Sequence, residues 1–417
     1  MKKKLFKIVG IILLLFVGLL IAAPFFLKGK IADIIKNKVN NSINATFDFA
    51  DTDLTLFSSF PQATLRLNDI SLINKAPFEG DTLFVSKEVS LNMSIKELFK
   101  GANEPISITR LSVDKALLNI KVDKDGNANY DVTKESQNTN NSGQETSSNF
   151  VFSLQSYEIS ESTVKYDDQE SGINMEILDM NHSGKGDLSA ETSELDTHTS
   201  ALVSFEMDST NYLNKNKIQW DALIGVDLNQ DKYSFLKNEL LVNQLPLVFD
   251  GFVKLNDDNQ EVDINFKTPS SDFKNFLAVI TEVYSKDIQQ VKTSGNFTVA
   301  GEFKGIVDEE HIPRFDIKIN SDDASFQYPD LPKSVRNIHI DTQISNTTGI
   351  VEDTEVDIRK LSFMIDQDKF NVTSKITELM GNPKVSAHVD GRINLANISK
   401  AYPIDSDLNL KGILNAD

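Results

Sequence analysis

The side chains able to do chemistry are few and far apart in this chain. Its histidines are His182, His198, His311, His339 and His388, and it has no cysteine. A histidine metal site needs two rings brought together by local spacing, and no H-x-H or H-x-x-x-H pair occurs. Without cysteine there is no thiol nucleophile, disulfide or thiolate ligand. Asp167-Asp168 would offer paired carboxylates for acid–base work, but such pairs abound in an acidic chain and nothing beside this one marks a pocket. Asp123–Asn129 resembles a calcium loop in its acids and amides. An EF-hand, however, places glycine sixth and closes with glutamate twelfth. Here Gly126 is fourth and Lys134 twelfth, so the stretch predicts a hairpin turn built on Asp-Gly chemistry. The G-x-S-x-G, G-x-x-x-x-G-K-[ST] and G-x-G-x-x-G signatures are missing. The expectation is a protein with no catalytic residue, no metal and no cofactor, and not an enzyme.

What, then, are the elements for? The 417 residues allow two or three ordinary domains, and the formal net charge of -19 argues against nucleic acid as a partner. Freedom from cysteine is compatible with an oxidising compartment such as a bacterial periplasm. Ile8 to Leu27 contains no charged side chain. Its apolar residues are Ile8, Ile11, Ile12, Leu13, Leu14, Leu15, Phe16, Val17, Leu19, Leu20, Ile21, Phe25, Phe26 and Leu27. As a helix this stretch spans the roughly 30 Å hydrocarbon layer of a bilayer. Lys2, Lys3, Lys4 and Lys7 precede it, which predicts a cytoplasmic N-terminus and export of everything after Leu27. Lys28 and Lys30 on the far side weigh the other way. A cleaved signal peptide is the rival reading, but its apolar core is shorter, about 7–15 residues. Ala22-Ala23-Pro24 is also a poor cleavage site. Ile31, Ile34, Ile35, Val39 and Ile43 then follow helical spacing. That pattern suits a helix at the outer headgroup level or one packed on the start of the body.

From Phe47 onward the apolar period falls to two. In Ile218–Leu228 every even position but Ala222 is a large apolar residue. Thr64–Leu72, Ile106–Val113, Phe150–Leu154, Val262–Phe266, Phe297–Phe303, Phe315–Ile319 and Val385–Val389 also alternate. Alternation of this kind predicts antiparallel strands with one apolar and one wet face. Ser271–Ser285 is the exception, with Phe273, Phe276, Leu277, Ile280 and Tyr284 on a helical stripe and Ser270, Ser271 or Asp272 as N-cap. Lys134–Asn149 lacks large apolar residues and predicts a flexible polar loop. The expected organisation is an anchor over 1–29, a β unit with its juxtamembrane helix over 30–133, the loop 134–149, and further β structure over 150–417. A weak repeat links Ala116–Ile120, Ser162–Tyr166 and Ala324–Tyr328, each a small residue followed by alternating apolar ones.

An apolar strand face must be covered by a second sheet, by helices or by a ligand. A sheet curled into a trough would shelter acyl chains, at about 0.8 kcal/mol per methylene removed from water. The candidate lining is Ile106, Ile108, Leu118, Ile120, Phe152, Leu154, Ile218, Trp220, Ile224, Val226, Phe297 and Val299. Closed β-sandwiches serving as a non-catalytic envelope scaffold fit the same pattern.

The order of short motifs resembles the AsmA family of bacterial envelope proteins, particularly its Bacteroidetes-type members. The motifs are the lysine-flanked anchor running into Ile31–Ile43, Phe49–Leu54, Phe60-Pro61, Leu65–Ile70 and Leu117–Tyr130. In the second half they are Thr268–Phe273, Val291–Gly295 and Ala324–Pro332. The resemblance covers essentially the whole chain. It implies a mainly β fold: a transmembrane helix, then an elongated, twisted antiparallel sheet of repeating β-groove form with few short helices. It further implies an inner-membrane, periplasm-facing protein that carries phospholipid by its acyl chains and serves outer-membrane biogenesis. Outer-membrane or other envelope proteins are the partners that this implies.

Overall fold

The computed structural model describes residues 32–33, 35–37, 39–56, 62–100, 106–134, 150–207, 210–269, 271–280, 290–308, 310–379, 382–402 and 410–417. The expected anchor and its lysines, and the polar loop from residue 135 to 149, lie outside these. Among the described residues no helix is long and apolar enough to cross a membrane. The chain is mainly β with few helices, and it divides into two compact units. Unit 1 holds the residues up to Ala190 with Thr197–Lys215; unit 2 holds Glu191–Asp196 with Asn216–Asp417.

Unit 1 is built from β1 (Ala45–Asp48), β2 (Asp51–Thr55), β3 (Gln62–Asn74), β4 (Thr82–Ser94), β5 (Ile106–Asp114), β6 (Leu117–Val122), β7 (Phe150–Asp168) and β8 (Ile173–Lys185). Most of β9 (Thr192–Met207) belongs to it as well. Most pairings are antiparallel, as alternation predicts, but β5 and β6 both pair with β7 in parallel. The sheet is therefore mixed. A parallel pair needs a crossover of a dozen or more residues, and the segment after β6 supplies that length. Alternation reports which face a side chain takes, not which way the neighbouring strand runs.

Helical residues within 32–42, here α1, lie on β2 and β3. Ile35 is 7% exposed and clusters with Phe49, Leu54, Leu65 and Leu67, while Ala32 and Val39 pack beside it. Asn40 joins helix to strand by bonding both the N–H and the C=O of Phe47 at 2.8 Å. The described apolar residues of this helix, Ala32, Ile35 and Val39, thus pack on the body.

Unit 2 is a run of antiparallel neighbours: β10 (Thr210–Asp227), β11 (Lys232–Val242), β12 (Leu245–Leu255), β13 (Gln260–Lys267), β14 (Lys292–Val307) and β15 (Arg314–Gln327). It continues through β16 (Val335–Asn346), β17 (Glu355–Ile365), β18 (Asp368–Thr377), β19 (Lys384–Asn394) and β20 (Ile413–Ala416). The expected helix is α2 (Phe273–Ile280); residues 281–289 lie outside the described set. Asp272 caps it, accepting from the N–H of Lys274 at 2.9 Å. Phe273 and Leu277 are buried, and Phe276 stacks on Phe297 with ring centroids 3.9 Å apart. A short helix, α3 (Leu395–Ile398), packs beside β19 with Ile398 and Tyr402 against the same core.

The weak sequence repeat has a structural meaning. Lys115, Glu161 and Asp323, the residues just before its three copies, have φ of 49°, 45° and 51°. A single left-handed residue flips the strand, so the apolar set changes parity yet keeps its face. Asp69 shows the effect: Leu65 and Leu67 before it and Ile70 after it belong to one cluster. The small residue that follows the flip is buried in each copy, Ala116 at 8%, Ser162 at 2% and Ala324 at 0% exposure. Neighbouring strands press on these points. A Cβ on Gly295, whose own φ is 89°, would stand 2.5 Å from the Cα of Ala324. The flips at Asp69, Lys115 and Glu161 form a crease across the strands of unit 1, and on its exposed side Lys87 pairs with Asp69 at 2.7 Å and Lys115 with Glu161 at 3.6 Å.

Candidate functional site: the apolar sheet faces

In register, the alternating residues form rows that run across strands. In unit 1 one row is Leu54, Leu65, Leu91, Leu111 and Tyr157, on β2, β3, β4, β5 and β7. Across the crease a second row is Phe47, Leu72, Phe84, Leu118, Val164 and Ile177. Cover fades along them. Leu54 and Leu65, next to the α1 cluster, are buried, whereas Leu91, Leu111, Tyr157, Leu118, Val164 and Ile177 are half-buried. In unit 2 the longest row is Phe249, Phe266, Gly301, Ile317, Ile344, Val356, Ile376 and Val385, one residue from each of β12 to β19. Its members are half-buried up to Val385, which is exposed. In each unit the strands hydrogen-bond into one sheet, and no described strand lies outside it. Among the described residues these rows are thus only partly covered, unlike the clusters beneath the helices.

The expected lining residues fall into different settings. Leu118 lies half-buried on the second row of unit 1; Ile120, opposite Tyr166, and Ile218, Trp220 and Ile224 on β10 are half-buried beside these rows rather than on them. Ile106 packs beside the α1 cluster, and Leu154 is half-buried. Phe152 pairs with Ile108 through the backbone. Ile108 and Val226 are sealed, at 1% and 7% exposure. Phe297 is sealed too, at 1%, beneath α2, with Val299 packed on the same core. The helices thus close parts of the face, and the rest is half-buried.

Two polar features stand on the face, and the sequence reading singled out neither. In unit 1 the hydroxyl of Tyr157 meets Nε2 of His182 at 2.9 Å, and Nδ1 of His182 meets the hydroxyl of Thr199 at 2.9 Å. Burial pushes the His182 imidazole below its usual pKa and the Tyr157 phenol above its own, so both are neutral near pH 7. The Tyr157 ring also lies over Gly184, where a Cβ would come within 2.4 Å of it. In unit 2, Trp220, Phe235 and Phe249 form a ring trio with centroids 5.3–6.4 Å apart. The Trp220 indole N–H donates to Oδ1 of the buried Asn238 at 3.3 Å. A break in alternation marks that asparagine: Tyr233 and Phe235 take odd positions, whereas Leu240 and Val242 take even ones.

The remaining candidate chemistry is structural. Gly126 has φ of 79° and Val122 bridges Ala128, so Asp123–Asn129 is a hairpin turn. The Asp123 carboxylate accepts from the Asn127 side chain and from the N–H groups of Asn127 and Asp125, which hold its pKa below the usual carboxylate range. Asp167 and Asp168 are consecutive on β7 and so point to opposite faces. Asp168 accepts from the N–H groups of Glu170 and Ser171 at 3.0 Å, closing the turn into β8. His311 pairs with Asp308 and His339 with Asp322, each at its own turn or strand. Among the described residues no three potential metal ligands gather.

No curated protein and no solved structure matches the chain. The family model of the AsmA family matches residues 1–298, well over half of the sequence. Strand periodicity, one-faced sheets and this match agree, and the chain belongs to the AsmA family.

Proposed function

We propose that this protein is a non-enzymatic lipid carrier of the bacterial envelope, holding phospholipid acyl chains against its half-open apolar sheet faces. The observation that carries the reading is the row Phe249–Val385: eight strands contribute to one half-buried apolar stripe, and among the described residues no strand lies in a second sheet. Acyl chains laid on such a stripe gain about 0.8 kcal/mol for each methylene removed from water, with no specific polar site required. Tails rest on the face, the headgroup stays in water, and no covalent step occurs. Ile8–Leu27, with Lys2, Lys3, Lys4 and Lys7 on the cytoplasmic side, anchors the body in the inner membrane. The exported part thereby serves phospholipid traffic toward the outer membrane and outer-membrane biogenesis, and membrane lipid is its principal partner.

Lipid extraction and mass spectrometry of the full chain purified in detergent test this. Phospholipid is expected to co-purify and to pass between vesicles. Trp220→Glu with Ile224→Lys is expected to lower loading severalfold while the fold survives, because a charge under an acyl chain is strongly disfavoured. Finding neither bound lipid nor transfer sinks the reading.

A further inference from the structure

Asn238 is out of character with its surroundings. Its cross-strand neighbours are Ala222 and Phe249, it is 3% exposed, and its partner Trp220 and neighbour Phe249 pack with Phe235 as one ring trio. Its Oδ1 accepts from the Trp220 indole, but its Nδ2 finds no acceptor among the described residues. Folded proteins rarely leave a buried amide donor unmatched, because water would have satisfied it in the unfolded chain. Leucine would fill the same space without that penalty. An asparagine here fits a ligand that brings its own acceptor into an apolar setting.

The acceptor's chemistry follows from the walls. Three aromatic rings disfavour a charged phosphate or carboxylate stripped of water. A neutral carbonyl flanked by hydrocarbon meets no such cost. We propose that Nδ2 of Asn238 donates to the ester carbonyl of a bound acyl chain, fixing where along the stripe the glycerol end of the lipid rests. The Trp220 bond holds the amide with its nitrogen free for this role. Phe235 and Phe249 are half-buried, so the carbonyl's approach requires only those two rings to turn while the Trp220 bond is kept. This inference rests on the acyl-chain reading above.

The experiment offers the full chain in detergent an equimolar pair of lipids: diacyl phosphatidylethanolamine and its dialkyl-ether analogue of equal chain length. Wild-type protein is expected to retain the ester lipid in about three- to tenfold excess, the range one net hydrogen bond gives. Asn238→Leu is expected to lose the preference and retain the two lipids equally. The infrared carbonyl stretch of a carbon-13-labelled ester lipid should sit lower on the wild-type protein than on the variant. Equal loading of the two lipids by wild type overturns the role of Asn238 and leaves the acyl-chain reading standing. A preference that persists in Asn238→Leu also overturns that role, as for a site in which only water meets the amide. Loading of neither lipid overturns both.

Discussion

His182 sits on the apolar face of unit 1 between a phenol and a threonine hydroxyl, with both ring nitrogens engaged. Burial lowers its pKa, so the folded ring resists a proton that the unfolded chain accepts near pH 6.5. Stability from this group is therefore complete above about pH 6.5 and is lost as the pH falls through the folded pKa. Denaturant midpoints at pH 7.5 and 5.5 check the sign. His182→Gln, which cannot charge, should narrow the drop between the two pH values, and an unchanged drop would contradict the assignment. This residue shows the limit of spacing arguments. Its partners Tyr157 and Thr199 come from β7 and β9, and no local pattern in the sequence joins them. Asn238 was more legible, since it sits just past a break in alternation, but its missing partner is a property of packing alone.

At the scale of elements, the crease organises the strands. Each flip places a residue at positive φ, tolerable for Asp, Asn, Lys or Glu at a cost of about 1–3 kcal/mol and free for glycine. Gly295 combines that conformation with close contact to the backbone of Ala324. Gly295→Ala should destabilise the protein by about 1–3 kcal/mol, from left-handed strain and overpacking together. Equilibrium urea unfolding measures this, and a variant as stable as wild type would mean the strands can part there freely. The alternation of apolar residues announced the strands, and the stripe Phe273–Leu277 announced α2. The three small-residue repeats announced the crease without revealing its geometry, because periodicity records faces and not φ. The parallel entry of β7 beside β5 and β6 was illegible for a similar reason: strand direction depends on where the connecting segment returns.

At the scale of the molecule, the argument turns on what covers an apolar face. Clusters under α1 and α2 are closed, as Leu65 and Phe297 show, while the rows leading away from them are half-open. The sequence made both outcomes equally reasonable for any given strand, since a groove and a sandwich share one alternation. Register places the rows, and burial shows which stretches of them the helices cover. Ile317 and Val356 lie on the half-buried apolar row of unit 2, whereas Lys318 and Glu302 are exposed at alternate positions on the opposite face. The most direct measurement installs a photo-crosslinking residue at each of these four positions in the full chain, irradiates it in membranes, and reads lipid adducts by mass spectrometry. Adducts at Ile317 and Val356, with only background at Lys318 and Glu302, are the predicted result. Equal labelling of both faces, or none at either, would contradict a lipid-holding face.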